Sequence, residues 1–307
     1  MTDDFLERLR DPRGAVSLAR ALSERRLDRP VTIMHVCGTH EHTIAREGIR
    51  SFLPKKLRLV AGPGCPVCVC PAGDIDLAVE ASAVDGAIVT TFGDMFRVPA
   101  TGGSLEEMRA AGRDVRIVYS PIDAVELARA HPEREVVFMA VGFETTAGPI
   151  AAALMSDPPE NFSIIPSLRL VPPVMRFLLE RGKGEVDGFL LPGHVSVVLG
   201  RSGYRFLEEL GAPGVIAGFE AADVLLSIAE LLRIIEGGPP YRVGNAYRRV
   251  VSEEGNGRMR AAIATVFTEA DASWRGIGEI PRSGLGLAAG FERFDAVRRF
   301  SLTPPAQ

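Results

Sequence analysis

Four cysteines stand at positions 37, 65, 68 and 70 of a 307-residue chain, and none follows. Disulfide frameworks spread their cysteines along a chain, whereas a cluster of this kind points to metal or redox chemistry. Cys37 opens the run Cys37-Gly-Thr-His-Glu-His-Thr43, in which His40 follows three residues later. At the start of a helix a thiolate and an imidazole with that spacing face one point, and the helix N-terminus favours negative charge on the sulfur. The pair suits a soft or borderline metal such as Fe(II) or Zn(II), or a Cys–His nucleophile. The plainer alternative is Thr39 as a helix cap with His40 and His42 in solvent.

Cys65-Pro-Val-Cys68 is the stronger signal. Two thiols separated by two residues can close a small disulfide, and the more acidic member of such a pair attacks in thiol exchange. Zinc uses the same spacing, but a structural zinc site needs a second pair, and only Cys37, Cys70 and the histidines could supply one. A site gathering all four cysteines around one zinc or cluster is therefore a further alternative. Three segments add charge and hydrogen-bonding groups: Asp94 with Arg97 as a polar wall, Glu144 directly after an apolar strand, and His194 after Pro-Gly. Burying an unpaired carboxylate is costly, so Glu144 is expected to face a cleft.

These groups need elements that present them together. Short apolar runs at Val31–Val36, Leu57–Ala61, Ala87–Phe92, Val115–Tyr119, Val136–Phe143, Ser163–Leu170, Phe189–Leu191 and Val215–Phe219 read as strands. Between them lie helical stretches at Asp74–Ala83, Ser104–Ala111, Ile122–Ala130, Gly148–Met155, Val174–Glu180, His194–Leu199 and Asp223–Glu236. Ser104 and Glu107 have the spacing of a capping box. Strand, loop and helix in repetition imply α/β architecture: two parallel-sheet domains with helices on both faces around an inter-domain cleft. In such sheets ligands bind beyond the carboxyl ends of the strands, where each of the motifs falls. The expected boundaries give one domain over 1–132 carrying the Cys37 and Cys65/Cys68 loops, a second over 133–240, and a segment 241–307 packing back on the first.

Composition excludes several classes. Hydrophobic residues at 46% and charged ones at 24% fit a folded globular chain. A formal net charge of −4 argues against a nucleic-acid partner. No apolar stretch reaches the ~18 residues of a membrane span. Residues 1–8 are acidic without an apolar core, unlike a signal peptide, so a cytoplasmic location is expected.

Met34-His-Val-Cys-Gly-Thr-His-Glu-His-Thr43, Gly62-Pro-Gly-Cys-Pro-Val-Cys68, Thr91-Phe-Gly-Asp-Met95, Gly142-Phe-Glu-Thr-Thr146 and Pro192-Gly-His-Val-Ser196 together resemble the HypD family of hydrogenase maturation factors. Val243-Gly-Asn-Ala-Tyr247, Trp274-Arg-Gly-Ile-Gly278 and Ser283-Gly-Leu285 resemble further family segments in the same order. The resemblance implies a scaffold for the Fe(CN)2CO unit of [NiFe]-hydrogenases, acting with a HypC-like chaperone and a HypE-like cyanide donor. It implies that Cys37, with His40 beside it, holds the iron. Cys65 and Cys68 correspond to the thiol pair that carries electrons, and Asp94, Glu144, Thr145 and His194 to polar residues of the cleft. Family members carry a cysteine-rich tail that ligates a [4Fe–4S] cluster. With no cysteine beyond position 70, that cluster is not expected here, since it needs four thiolates. Cys70 is a second departure from the family loop; a resolving thiol, a third metal ligand and a spectator all remain open for it.

Overall fold

The computed structural model describes residues 12–303 apart from Lys183, so the acidic residues 1–8 lie outside the described residues. Strands β1 (Val31–His35), β2 (Leu57–Ala61), β3 (Ile88–Thr91), β4 (Val115–Ile117), β5 (Val136–Gly142) and β6 (Phe162–Arg169) come first along the chain. They are followed by β7 (Gly188–Pro192), β8 (Gly214–Ala217), β9 (Gly244–Asn245), β10 (Phe267–Trp274) and β11 (Gly278–Leu287). The strands form two sheets, one in each of two compact units.

The first unit takes the residues up to Cys65 together with Val174–Gly257. Its sheet has the order β2-β1-β7-β8-β9, parallel throughout. Val31, Ile33, Leu57, Leu59, Leu190 and Val215 alternate along their strands and pack against helices Pro12–Ser23 and Ala221–Gly237. That period of two is what a strand facing helices on one side requires.

The second unit takes Pro66–Pro173 and the residues from Arg258 onward. Its sheet runs β10-β11-β6-β5-β3-β4, parallel from β6 to β4. All seven residues of β5 are buried. Phe138 and Ala140 meet helices Pro121–Ala130 and Glu144–Met155, while Val137, Met139 and Val141 meet Ile75 and Ala78 of helix Ala72–Ala81. Helices thus cover both faces, and each fully buried side chain contributes roughly 2 kcal/mol. The expected capping box is present, with Ser104 Oγ accepting from Glu107 N–H and the Glu107 carboxylate accepting from Ser104 N–H. A second box at Ser120 and Asp123 opens helix Pro121–Ala130.

The expected domain boundaries are replaced. β3 and β4 lie before residue 132 yet share a sheet with β5 and β6, while β1 pairs with β7. The segment 241–307 is divided: β9 completes the first sheet, and the antiparallel hairpin β10–β11 extends the second by pairing with β6. Strand and helix alternate locally in the same rhythm whichever sheet a strand joins, so spacing alone cannot assign sheet membership. Among the described residues no helix is long and apolar enough to cross a membrane.

Candidate functional site

In the first unit β1 ends at His35, and Cys37 sits in extended conformation at the N-cap of helix Gly38–Arg46, its side chain making no cap bond. The Cys37 thiol is free, and the residue is buried. His40 lies one turn on and is wholly buried. Its Nε2 is 3.3 Å from the carbonyl oxygen of Ala217 and 3.1 Å from that of Gly218. Carbonyls only accept, so Nε2 carries the proton and Nδ1 presents a lone pair. That buried Nδ1 has no hydrogen-bond partner. Burial, with His35 adding to it, holds the His40 pKa down at about 4. The ring is therefore neutral at pH 7, the form in which histidine ligates metals.

His194 belongs to the same neighbourhood. Its ring stacks on Phe219 at 3.8 Å between centroids, and the His40 ring lies 5.0 Å from Phe219. Thr43 Oγ1 donates to the Phe219 carbonyl at 2.8 Å, pinning the loop that carries this aromatic ring. His194 itself is exposed, and partial desolvation lowers its pKa. His42 points to solvent, as the plainer alternative had it for both histidines.

The loop after β2 is strapped to the loop after β1. Gly62 N–H donates to the His35 carbonyl, and Gly38 N–H donates to the Gly64 carbonyl, both at 2.9 Å. A Cβ on Gly64 would stand 2.1 Å from the Cys37 nitrogen, so the approach requires glycine there. The strap seats Cys65 against Gly38, where an added Cβ would lie 3.5 Å from that of Cys65. Cys65 and Cys68 are disulfide-bonded, while Cys37 and Cys70 are thiols. Cys65 is half-buried and Cys68 exposed.

Cys68 lies on the short helix Pro66–Val69, which packs against β5 in the second unit. Glu144 follows β5 at the start of its helix, four residues earlier than the expected helix start. Expected to face a cleft, Glu144 is instead buried within the second unit. Only 3% of it is exposed, Oε1 accepts from Val171 N–H at 2.9 Å, and Oε2 has no partner. Burial pushes its pKa up to about 7, so the cost of a buried charge is met by holding a proton rather than by facing water. Thr145 is half-buried, and Asp94 is exposed. The expected wall of Asp94 with Arg97 does not form, because Arg97 donates to Glu106 at 3.0 Å instead.

Two polar groupings escaped the sequence reading. His35 is buried and donates from Nε2 to Glu41 Oε2 at 2.7 Å, and Arg50 grips both oxygens of Glu41. In the second unit Ser167, Asp74 and Arg169 form a hydrogen-bonded chain beside Cys70. His35 and Glu41 both lie in the quoted Met34–Thr43 motif; the partners of Cys70 come from a distant strand and left no local sign.

Among the described residues no three His, Cys, Asp or Glu side chains gather as a metal-holding group. The site of four cysteines is thus set aside: two sulfurs bond each other, and Cys70 turns to Ser167.

The HypD model, described as "Hydrogenase formation hypA family", matches residues 14–307. The hydrogenase maturation factor HypD of Cupriavidus necator is 42% identical over 311 residues, covering 97% of this chain and 82% of that protein. The HypD of Escherichia coli strain K12 is 41% identical, over 98% of this chain and 83% of its own length. That of Rhizobium leguminosarum bv. viciae is 40% identical, over 98% and 82%. On these matches the chain belongs to the HypD family of hydrogenase maturation factors.

Proposed function

We propose that this protein is an assembly scaffold for the Fe(CN)2CO unit of [NiFe]-hydrogenases, holding iron as cargo on Cys37 and His40 and drawing electrons from Cys65 and Cys68. One observation carries the reading. His40 offers a buried, unpartnered Nδ1 lone pair three residues after the free thiol of Cys37, while its Nε2 is fixed by two carbonyls. A buried nitrogen without a partner is costly, and a metal bound at this lone pair accounts for it.

Thiolate and imidazole together suit iron that bears strong-field diatomic ligands. Two protein donors leave the remaining coordination positions for cyanide, carbon monoxide and a partner's side chain. The Cys65–Cys68 dithiol closes to a disulfide with release of two electrons and two protons. An external dithiol or iron–sulfur protein reopens it, and the exposure of Cys68 supports access for such a donor. Glu144, with its pKa at about 7, is about half protonated at neutral pH and so can both give and take a proton. Thr145, Asp94 and His194 supply further polar groups. A HypC-like chaperone and a HypE-like cyanide donor are the partners this role requires, and a cytoplasmic setting would keep the dithiol reducible.

The test is infrared spectroscopy of the anaerobically purified complex with those partners. The native chain should show CN and CO stretching bands, and Cys37→Ala should abolish them. Bands of native intensity in Cys37→Ala would overturn the assignment.

A further inference from the structure

The segment Trp274-Arg-Gly-Ile-Gly278 has no part in the chemistry proposed above, yet it forms the tip of the β10–β11 hairpin. Arg275 donates from its backbone N–H to the Val69 carbonyl at 2.8 Å and from Nε to the Cys70 carbonyl at 2.6 Å. The two residues that follow Cys68 are therefore both held by one arginine. The tip itself is anchored: Trp274 donates from Nε1 to Ser283 Oγ at 2.8 Å, and its ring stacks on Phe143 at 5.9 Å.

The side chain of Cys70 is held from another side. Its Sγ lies 3.4 Å from Ser167 Oγ, and Ser167 gives its single hydroxyl hydrogen to Asp74 Oδ2 at 2.6 Å. Sγ itself donates to the Pro71 carbonyl at 3.8 Å, a bond that only the protonated thiol makes. Arg169 closes the chain, donating from Nη2 to Asp74 at 2.7 Å and from Nε to the Ser273 carbonyl at 3.0 Å. Cys70 is 1% exposed and packs with the apolar side chains of the second unit's core.

A third thiol so near a working disulfide is a chemical hazard. If the Cys70 thiolate attacked Cys68, a bond between those sulfurs would form, and the Cys65–Cys68 bond would break with its electron pair leaving on Cys65. No net oxidation occurs, but the electron-carrying pair is lost. Exchange needs a thiolate and access to the sulfur attacked. We propose that Arg275 and the Ser167–Asp74–Arg169 chain are positioning residues that hold Cys70 out of thiol–disulfide exchange and confine the redox couple to Cys65 and Cys68. The inference rests on the reading that this pair cycles. Burial, with the Asp74 carboxylate adding to it, pushes the Cys70 thiol up to about 11 against the opposite pull of Ser167, Arg169 and Arg275, so these three act by holding position and not by charge.

The experiment uses the purified full chain without iron or partners, so its outcome is independent of whether Cys37 carries iron. The protein is equilibrated in a thiol–disulfide buffer, alkylated, and its disulfides mapped by mass spectrometry. The native chain should show Cys65–Cys68 alone, with Cys70 alkylated only after unfolding. Arg275→Ala and Ser167→Ala should raise disulfides containing Cys70 by about tenfold or more. Arg275→Ala combined with Cys70→Ser should restore the single Cys65–Cys68 disulfide and its native equilibrium with the buffer. A packing defect alone would not be rescued in that way. Disulfides to Cys70 in the folded native chain would overturn the proposal, whatever the variants do. So would folded Arg275→Ala and Ser167→Ala proteins that keep native connectivity.

Discussion

Gly38 donates its N–H to the carbonyl of Gly64 across 2.9 Å, which makes the loop of Cys37 and the loop of Cys65 one hydrogen-bonded piece. The close approach of the two backbones leaves no room for a side chain at position 64. In Gly64→Ala the new Cβ would lie 2.1 Å from the Cys37 nitrogen and 2.2 Å from the Val36 carbonyl carbon, neither of which can give way. The expected loss is about 3 kcal/mol, read as a lower urea midpoint. Gly62→Ala should cost less, about 1 kcal/mol, since its Cβ meets chiefly the flexible end of Met34. Equal costs for the two would contradict the strap.

His40 can be divided into its two nitrogens by mutation. In His40→Gln a side-chain amide still donates toward the Ala217 and Gly218 carbonyls, but the Nδ1 lone pair is gone. Stability should fall by about 1 kcal/mol, against about 3 for His40→Ala, which leaves a cavity and unpaired carbonyls. Anaerobic titration with Co(II), followed by its visible thiolate absorption, should show affinity lowered by about tenfold or more in both variants. Native affinity in His40→Gln would remove His40 from the ligand set.

Glu144 gives a pH signature. Its folded pKa, about 7, stands above the ordinary value of 4.5 because the carboxyl is buried. Between those values the folded chain binds the proton and the unfolded chain does not. The stabilisation is therefore whole below about pH 4.5 and is lost as pH rises through 7. The difference amounts to roughly 3 kcal/mol. Glu144→Gln keeps an oxygen to accept from Val171 and cannot titrate. Denaturation from pH 4.5 to 8 should show native stability falling relative to the variant; parallel curves would refute the shift.

Asp223 and Arg249 form a bidentate ion pair at 2.8 and 2.5 Å, with Asp223 3% exposed. The Asp223 carboxylate crowds Gly218, whose carbonyl fixes His40. Arg249→Ala strands a buried charge and should cost about 3 kcal/mol. Asp223→Ala with Arg249→Ala should cost less than the sum of the single changes, since neither partner is then left unpaired. A double-mutant cycle by denaturant unfolding checks this; additive effects would mean the pair is not coupled.

Much of the local structure was legible in the residues. The run Val136–Phe143 is apolar at every position because β5 is covered on both faces. Ser104 and Glu107 announced a helix start through a reciprocal bond that depends only on their spacing. The hairpin β10–β11 was not legible. Its first strand, Phe-Thr-Glu-Ala-Asp-Ala-Ser-Trp, is mixed in burial along its length, and it exists through pairing rather than apolar pattern.

The sequence alone determined which chemistry was at hand: a thiol and an imidazole one helical turn apart, and two thiols close enough to join. Those facts depend on covalent spacing, which no tertiary arrangement alters. Only the tertiary structure decided the state of each group. His40 presents Nδ1 because Gly218, 178 residues away, takes the proton of Nε2. Cys70 is a held thiol because the fold buries it and sets Ser167, 97 residues away, against its sulfur at 3.4 Å. Glu144 keeps its proton because the fold buries it. A hydrogen bond or a desolvation cost belongs to whatever groups the fold brings together, and their separation along the chain leaves no mark on the local pattern.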